Sequence, residues 1–545
     1  MEMTKKMKMA AVGAAAVAVV GGGVFAYTRP AGGDPKETVI QAFENVYTEG
    51  QTDPMEELFG LSEFAKAGVS ASQNSGLMLK LDSCSEPAVN TYAGSGLRID
   101  AKNDVENNKV SANMGIIYNG MDLVNLDLYY GDDTVMAAVP ELSPKVFTLD
   151  FGEGLEERLK NSPMLGSALE QSGVDASVMA EYMELLAEQA RQTQEGQAAS
   201  FDLKALMKRY QEGCKAEDDF KAALTVEKGE KASFTIDGKE QACRGYEVTV
   251  SKEAMINFLR TSSDFFLQDE VLKKDFLKRL ELSVKLSQLA GAQMEGQDFP
   301  TAQEMQEQTY EEARTEIDGM IAFLDSSLND VSMTVYVDKE GCLASVKGTT
   351  SFNSTGSEAE PVQLQFGCEL KGGAYPTQNM SAQAVLENGA ASVQIEAVKE
   401  GAYDGKELTS GFELSIENQG EIAEKWDITL DSSYNSEGGG FDVQAAAAQD
   451  GMELLGFSAQ GVVDELEKGK NIHLTLDSLD VSAMGDTGNA VLSGEYYIRP
   501  LTEEVVPLEG DTMDVLAAGE EEWNSVLMEV LFSFISLSGQ MDTGN

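Results

Sequence analysis

From Leu77 onward the apolar positions recur every second residue. Leu77, Leu79 and Leu81 alternate with Met78 and Lys80. A strand puts successive side chains on opposite faces, so this period predicts a sheet that is dry on one side and wet on the other. Strands recur about every 10–12 residues up to about Phe151. Asn107-Asn108, Asn119-Gly120 and Gly131-Asp132-Asp133 separate them as turns. The period then becomes helical between Gly152 and Lys215, with Val178, Tyr182 and Leu185 on one stripe. Strands return from Leu224 to Ser251 around the turn Asp237-Gly238. Ser251 is expected to cap a helix through Phe258.

Residues 263 to 330 read as mostly helical, with a strand over Leu280–Leu286 as the alternative. Thr301 and Glu304 have the spacing of a capping box, opening a helix to about Leu324. From Val331 to about Ile498 strands follow almost without pause. Examples are the ladders Val362–Leu370, Phe412–Ile416, Trp426–Leu430 and Ile472–Leu476. A loop holding Pro500 and Pro507 leads to a last helix from Glu520. That helix is apolar over most of its circumference, so protein, a partner or lipid has to cover it.

The first residues differ from all of this. Lys5, Lys6 and Lys8 precede an uncharged run from Met9 to Tyr27. As a helix the run is about 28 Å long, close to the ~30 Å of bilayer hydrocarbon. The lysines predict a cytoplasmic tip and an extracytoplasmic remainder. Val24-Phe25-Ala26 also suits signal cleavage before Tyr27, which gives a secreted chain. No cysteine lies near the end of the run, which argues against a lipid-modified N-terminus. Asp34-Pro35-Lys36-Glu37 starts a helix ending near Gly50, and a second short helix follows Asp53-Pro54. The expected organisation is therefore a tip at 1–8, an anchor or signal segment at 9–27 and a helical spacer at 33–73. A mixed sheet and helical lobe at 74–330 precedes an antiparallel sheet lobe with a C-terminal helix at 331–545.

The expected fold class is α+β: a long curved antiparallel sheet of roughly fifteen to twenty strands, forming one or two half-barrels. Inserted helices, at 154–325 and 520–537, are expected to cover its concave face. Small dry-face residues such as Ala382, Ala384, Ala397, Ala445 and Ala447 either admit close helix packing or leave a cavity.

Charge narrows function more than composition does. The apolar fraction of 42% is that of a folded protein, but 40 basic residues against 92 acidic ones give −52. Such a surface repels nucleic-acid phosphates and anionic lipid head groups, which argues strongly against nucleic acid as a partner. No acidic stretch has calcium-loop spacing, and Asp132, Asp133, Asp477 and Asp480 read as turn or solvent-face acids. The five cysteines are Cys84, Cys214, Cys243, Cys342 and Cys368. None lies in a C-x-x-C pair, and His473 is the single histidine, on the polar side of its strand. That argues against zinc, haem and thioredoxin chemistry, and no cofactor is expected. Outside the cytoplasm disulfides form, and Cys214 with Cys243 and Cys342 with Cys368 are the pairs to test first. Free buried thiols are the equal alternative, because an odd count leaves one unpaired.

The nearest approach to a nucleophile elbow, Gly456-Phe457-Ser458-Ala459-Gln460-Gly461, is one residue too long and lies inside a strand region. An enzyme is not expected. One span followed by a curved sheet interrupted by helices resembles the Lol-type carriers and the mycobacterial lipid-binding lipoproteins. It also resembles membrane-anchored proteins of low-GC Gram-positive bacteria. The segments that carry the likeness are Gly245-Tyr246-Glu247-Val248-Thr249-Val250-Ser251-Lys252 and Val335-Tyr336-Val337-Asp338-Lys339-Glu340-Gly341. The resemblance implies acyl chains held between sheet and helices and supplies no catalytic residue. Two expectations follow. One is a tethered, non-enzymatic envelope protein acting as an interaction or structural module. The other is a carrier of a lipid or other apolar ligand, with an enclosed apolar pocket.

Overall fold

Period-two alternation becomes strand in the predicted regions other than Leu280–Leu286. The computed structural model describes residues 34–46, 54–64, 71–166, 169, 175–194, 203–291, 300–353, 361–389, 391–420, 423–483 and 488–542. The predicted anchor or signal segment at 9–27 lies outside them. Among the described residues no helix is long and apolar enough to cross a membrane.

The first strands are β1 (Gln73–Cys84), β2 (Gly96–Asp104), β3 (Lys109–Tyr118), β4 (Met121–Gly131), β5 (Thr134–Ala138) and β6 (Lys145–Asp150). Their turns use residues that tolerate positive φ: Asn108 at 52°, Asn119 at 48° before Gly120 at 77°, and Asp132 at 51°. The hairpin β7 (Thr225–Ile236) and β8 (Lys239–Val250) turns at Asp237 and Gly238. Then follow β9 (Val331–Val337), β10 (Leu343–Phe352), β11 (Val362–Gly372), β12 (Asn379–Asn388), β13 (Ala391–Tyr403) and β14 (Glu407–Gln419). The second run ends with β15 (Ala423–Asn435), β16 (Gly440–Gln449), β17 (Met452–Glu467), β18 (Asn471–Ala483), β19 (Gly488–Pro500) and β20 (Asp511–Asp514).

All twenty strands join one sheet. From edge to edge it runs β7 to β19 in chain order, then β1 to β6, then β20. The two ends do not meet, so the sheet is not closed. Two pairings join what chain order separates. Strand β1 lies against β19, with Gln73 opposite Pro500, and the short β20 runs parallel to β6. The sheet is continuous across residue 330, because β8 pairs with β9.

Three helices begin at side-chain caps, Asp34, Ser251 and Thr301. Asp34 accepts from the Lys36 N–H at the start of α1 (Pro35–Glu44), which stops before Gly50, and α2 (Pro54–Phe59) follows. After the one-turn α3 (Pro87–Asn90) come α4 (Leu155–Asn161), α5 (Ala176–Gln194), α6 (Leu203–Gly213) and α7 (Ala216–Ala223). Ser251 caps α8, which runs past Phe258 to Gln268 (Lys252–Gln268). Leu280 to Leu286 belong to the helix α9 (Glu270–Gly291) and not to a strand. Thr301 and Glu304 form the full capping box of α10 (Ala302–Ser327), and α11 (Glu520–Asp542) ends the chain.

The main core lies where α1, α7, α8 and α10 meet the dry face of β8 to β12. Phe220, Met255, Ile321 and Leu324 pack there on Val248, Val335, Val346 and Leu364. Lys221, buried, bridges Glu44 at 3.3 Å and Glu217 at 2.6 Å, fixing α1 to α7. The Arg209 guanidinium grips Asp269 with two 2.9 Å hydrogen bonds and holds that carboxyl below its usual range. At the opposite end of the sheet α4 and α5 pack on Leu149 and Phe151, and Trp523 of α11 stacks on Phe147 at 5.9 Å. Lys285 of α9 reaches Glu181 of α5 at 2.5 Å, so the helices of the two ends touch.

Candidate functional site

Register shows which side chains share the dry face. Val346, Cys368, Ala382, Ala397, Leu414, Ile428, Ala447 and Leu455 follow one another across eight strands, β10 to β17. A neighbouring row runs Met380, Lys399, Phe412, Leu430, Ala445, Phe457, Val481 and Ala490. Farther along, Tyr496, Leu77, Ile99 and Met114 continue the same face.

Cover changes along these rows while their apolar character, Lys399 apart, does not. Val335, under α8 and α10, is 0% exposed and Val346 is 9% exposed; Ile428 is 40% exposed and Leu455 is 59% exposed. Leu430, Phe457, Val481, Tyr496, Leu77, Leu97, Met114 and Ile116 are exposed as well. Helix α2 covers one end of β13 to β18, where Phe59 meets Tyr434 at 4.8 Å. The segment Leu501–Leu508 packs on Tyr129, Met136 and Val146, which face the other way, on the wet side. The predicted covers at 154–325 and 520–537 thus lie over the two ends of the sheet and leave the middle open.

This open stretch is an apolar wall. Contiguous exposed apolar patches mark contact with a ligand, lipid or partner. Within it β16 forms a furrow. Its dry-face residues Ala445 and Ala447 lie between Ile428 and Leu430 on β15 and Leu455 and Phe457 on β17. The two ridges are two strand spacings apart, about 9–10 Å. The outer side of α11 adds a second apolar surface, with Leu527, Met528, Leu531, Phe532 and Phe534 exposed.

The depressions in the surface are elsewhere. Open grooves of about 420, 400 and 290 Å³ have mixed linings, with Glu247, Thr334, Lys347 and Gln383 beside Met333 and Phe366, or Asp100, Lys102, Asn113 and Asp127 beside Val505 and Leu508. None of the three is the enclosed apolar pocket expected of a carrier.

The cysteines do not form the site. All five are free. Cys368 lies opposite Val346, not Cys342, and Burial pushes up the thiols of Cys243, Cys342 and Cys368. Cys214 follows α6, where its thiol faces the Thr261 carbonyl at 3.9 Å. His473 lies on the wet face as predicted from its strand position, paired with Asp464 and 17% exposed. Burial opposes ionisation of Asp464, but hydrogen bonds from His473 and Thr475 together hold its carboxyl below the usual range. Beyond it is a network that spacing alone did not reveal. Arg98 contacts Asp100, Asp122, Asn113 and Asn125, and Tyr497 donates to Asp100 at 2.6 Å. Burial first, and that bond second, push the Tyr497 hydroxyl up to about 12. Residues from four strands meet in it, so only the fold brings them together.

Neither family models nor curated proteins match the chain. Among solved structures, the CymD monoaromatic hydrocarbon channel aligns at 7% identity, over 86% of this chain and 97% of that one. Its TM-score is 0.12, too low to define a shared fold.

Proposed function

We propose that the chain is a non-enzymatic, extracytoplasmic binding module whose ligand is an acyl chain lying on the open apolar wall. The observation that supports this most is the furrow along β16, whose floor is alanine and whose ridges are exposed isoleucine, leucine and phenylalanine. Its width suits a single extended hydrocarbon chain. Each ridge residue left half-exposed retains about 1 kcal/mol of burial free energy that such a ligand recovers. Helices on the same face at both ends fit a sheet bent into a half-barrel around the wall. A protein partner is the second proposal, favoured by one observation, the exposed outer side of α11.

Organic extraction of the purified full chain followed by mass spectrometry tests the acyl proposal. The expected result is an acyl lipid at about one or a few molecules per chain. Protein that carries no lipid and takes up none from vesicles contradicts it.

A further inference from the structure

Among the described residues one cation stands on the open wall. Lys399 of β13 is a dry-face residue, between Met380 on β12 and Phe412 on β14 in the row that continues to Leu430 and Phe457. Its neighbours along the strand on that face are Ala397 and Gly401. The charges of the surrounding strands, such as Glu396, Glu400, Glu413 and Asp431, alternate onto the wet face. Among the described residues no carboxylate lies within ion-pair distance of the Lys399 ammonium. Its recorded partner is Tyr375, whose hydroxyl accepts from Nζ at 3.1 Å and whose ring centroid lies 5.1 Å away. In a chain of net charge −52, it is the placement of a lysine on an apolar face, without an acidic partner, that sets Lys399 apart.

The turn that presents Tyr375 is built to hold still. It joins β11 to β12, and its Gly373 N–H donates to Asp237 at the tip of the β7–β8 hairpin at 2.8 Å. The Asp237 N–H in turn donates to the Lys371 carbonyl at 3.0 Å. Gln378, 4% exposed, accepts from the Ala374 N–H and donates to the Gly401 carbonyl at 2.7 Å. Gly372, with φ at +82°, approaches Asp237 so closely that a Cβ there meets its Oδ1 at 2.3 Å. An ammonium and a phenol hydroxyl are thus fixed side by side at the margin of an apolar surface. Both donate to an anion, and the ammonium does so more strongly where water is scarce.

We propose, resting on the acyl-chain assignment above, that the ligand is a long-chain lipid with an anionic head group, held by Lys399 and Tyr375 at the β11–β12 turn. Its hydrocarbon crosses the wall toward β16, three strand spacings away, about 14 Å. The preference for a negative ligand in a strongly acidic protein comes from this one pair of donors.

The test compares oleate with oleyl alcohol, both below their aggregation thresholds, on the delipidated full chain at pH 8. The wild type is expected to bind oleate at least tenfold more tightly. Lys399→Met is expected to abolish that preference and to bind the alcohol within twofold of wild type, with its thermal midpoint unchanged. Tyr375→Phe is expected to weaken oleate several-fold and leave the alcohol unaffected. Equal binding of acid and alcohol by the wild type, or a preference that survives in Lys399→Met, overturns the head-group site and leaves the acyl wall standing. If neither compound binds, the acyl wall itself falls.

Discussion

The double variant Leu430→Glu/Phe457→Glu is expected to lose its acyl ligand while keeping its fold. Both side chains are exposed, at 43% and 41%, and flank Ala445 in one lateral row. Exposed sites away from special features usually change stability by no more than about 0.5 kcal/mol. The effect on binding is much larger. A ligand seated in the furrow would cover two carboxylates, and burying an unpaired charge costs several kcal/mol. Apolar contact worth about 0.8 kcal/mol per methylene is lost as well. Affinity for an acyl probe is expected to fall by at least about 100-fold, read by displacement of an environment-sensitive dye. The residues before Asp34 are identical in the variant, so any lipid carried by them remains, and the difference reports the wall. Unchanged affinity with an intact fold removes the furrow as the binding surface.

Leu324→Ala probes the covered part of the same face. Leu324 is 1% exposed, on α10, in the core formed with Val335, Val346 and Leu364. Truncating a buried leucine removes transfer free energy and leaves a cavity, together about 2–5 kcal/mol. The expected outcome is a lowered urea midpoint for the transition that reports the helices. A loss under about 1 kcal/mol contradicts the packing of α10 on the sheet. The same chemistry on the same face thus has opposite consequences: a leucine matters to folding under the helices and to binding in the middle.

That contrast marks what the sequence discloses. Alternation at Leu77–Leu81, at Val362–Leu370 and at Trp426–Leu430 places strands and their dry side, because the pleat fixes side-chain direction locally. Asn119-Gly120, Asp237-Gly238 and the Thr301–Glu304 box set element ends for equally local reasons. Alternation says only that a face is apolar, not what meets it. Hence the ladders of β11 and of β15 look alike, although one is roofed and the other open. The pairing of β1 with β19 and the parallel strand β20 depend on contacts between distant residues and leave no periodic trace. The sequence reading passes over Lys399, although it stands two residues beyond the dry-face Ala397 and breaks that ladder, and Tyr375 joins it only through the fold.

The most direct measurement of the central claim is photo-crosslinking of the full chain with a diazirine fatty acid, with adducts mapped by mass spectrometry. Adducts are predicted on the open dry face of β14 to β18, at or beside Leu430, Ala445, Phe457 and Val481, and competition with unlabelled oleate should remove them. Adducts confined to the outer side of α11 or to residues before Asp34, with the wall unlabelled, would contradict an acyl-binding sheet.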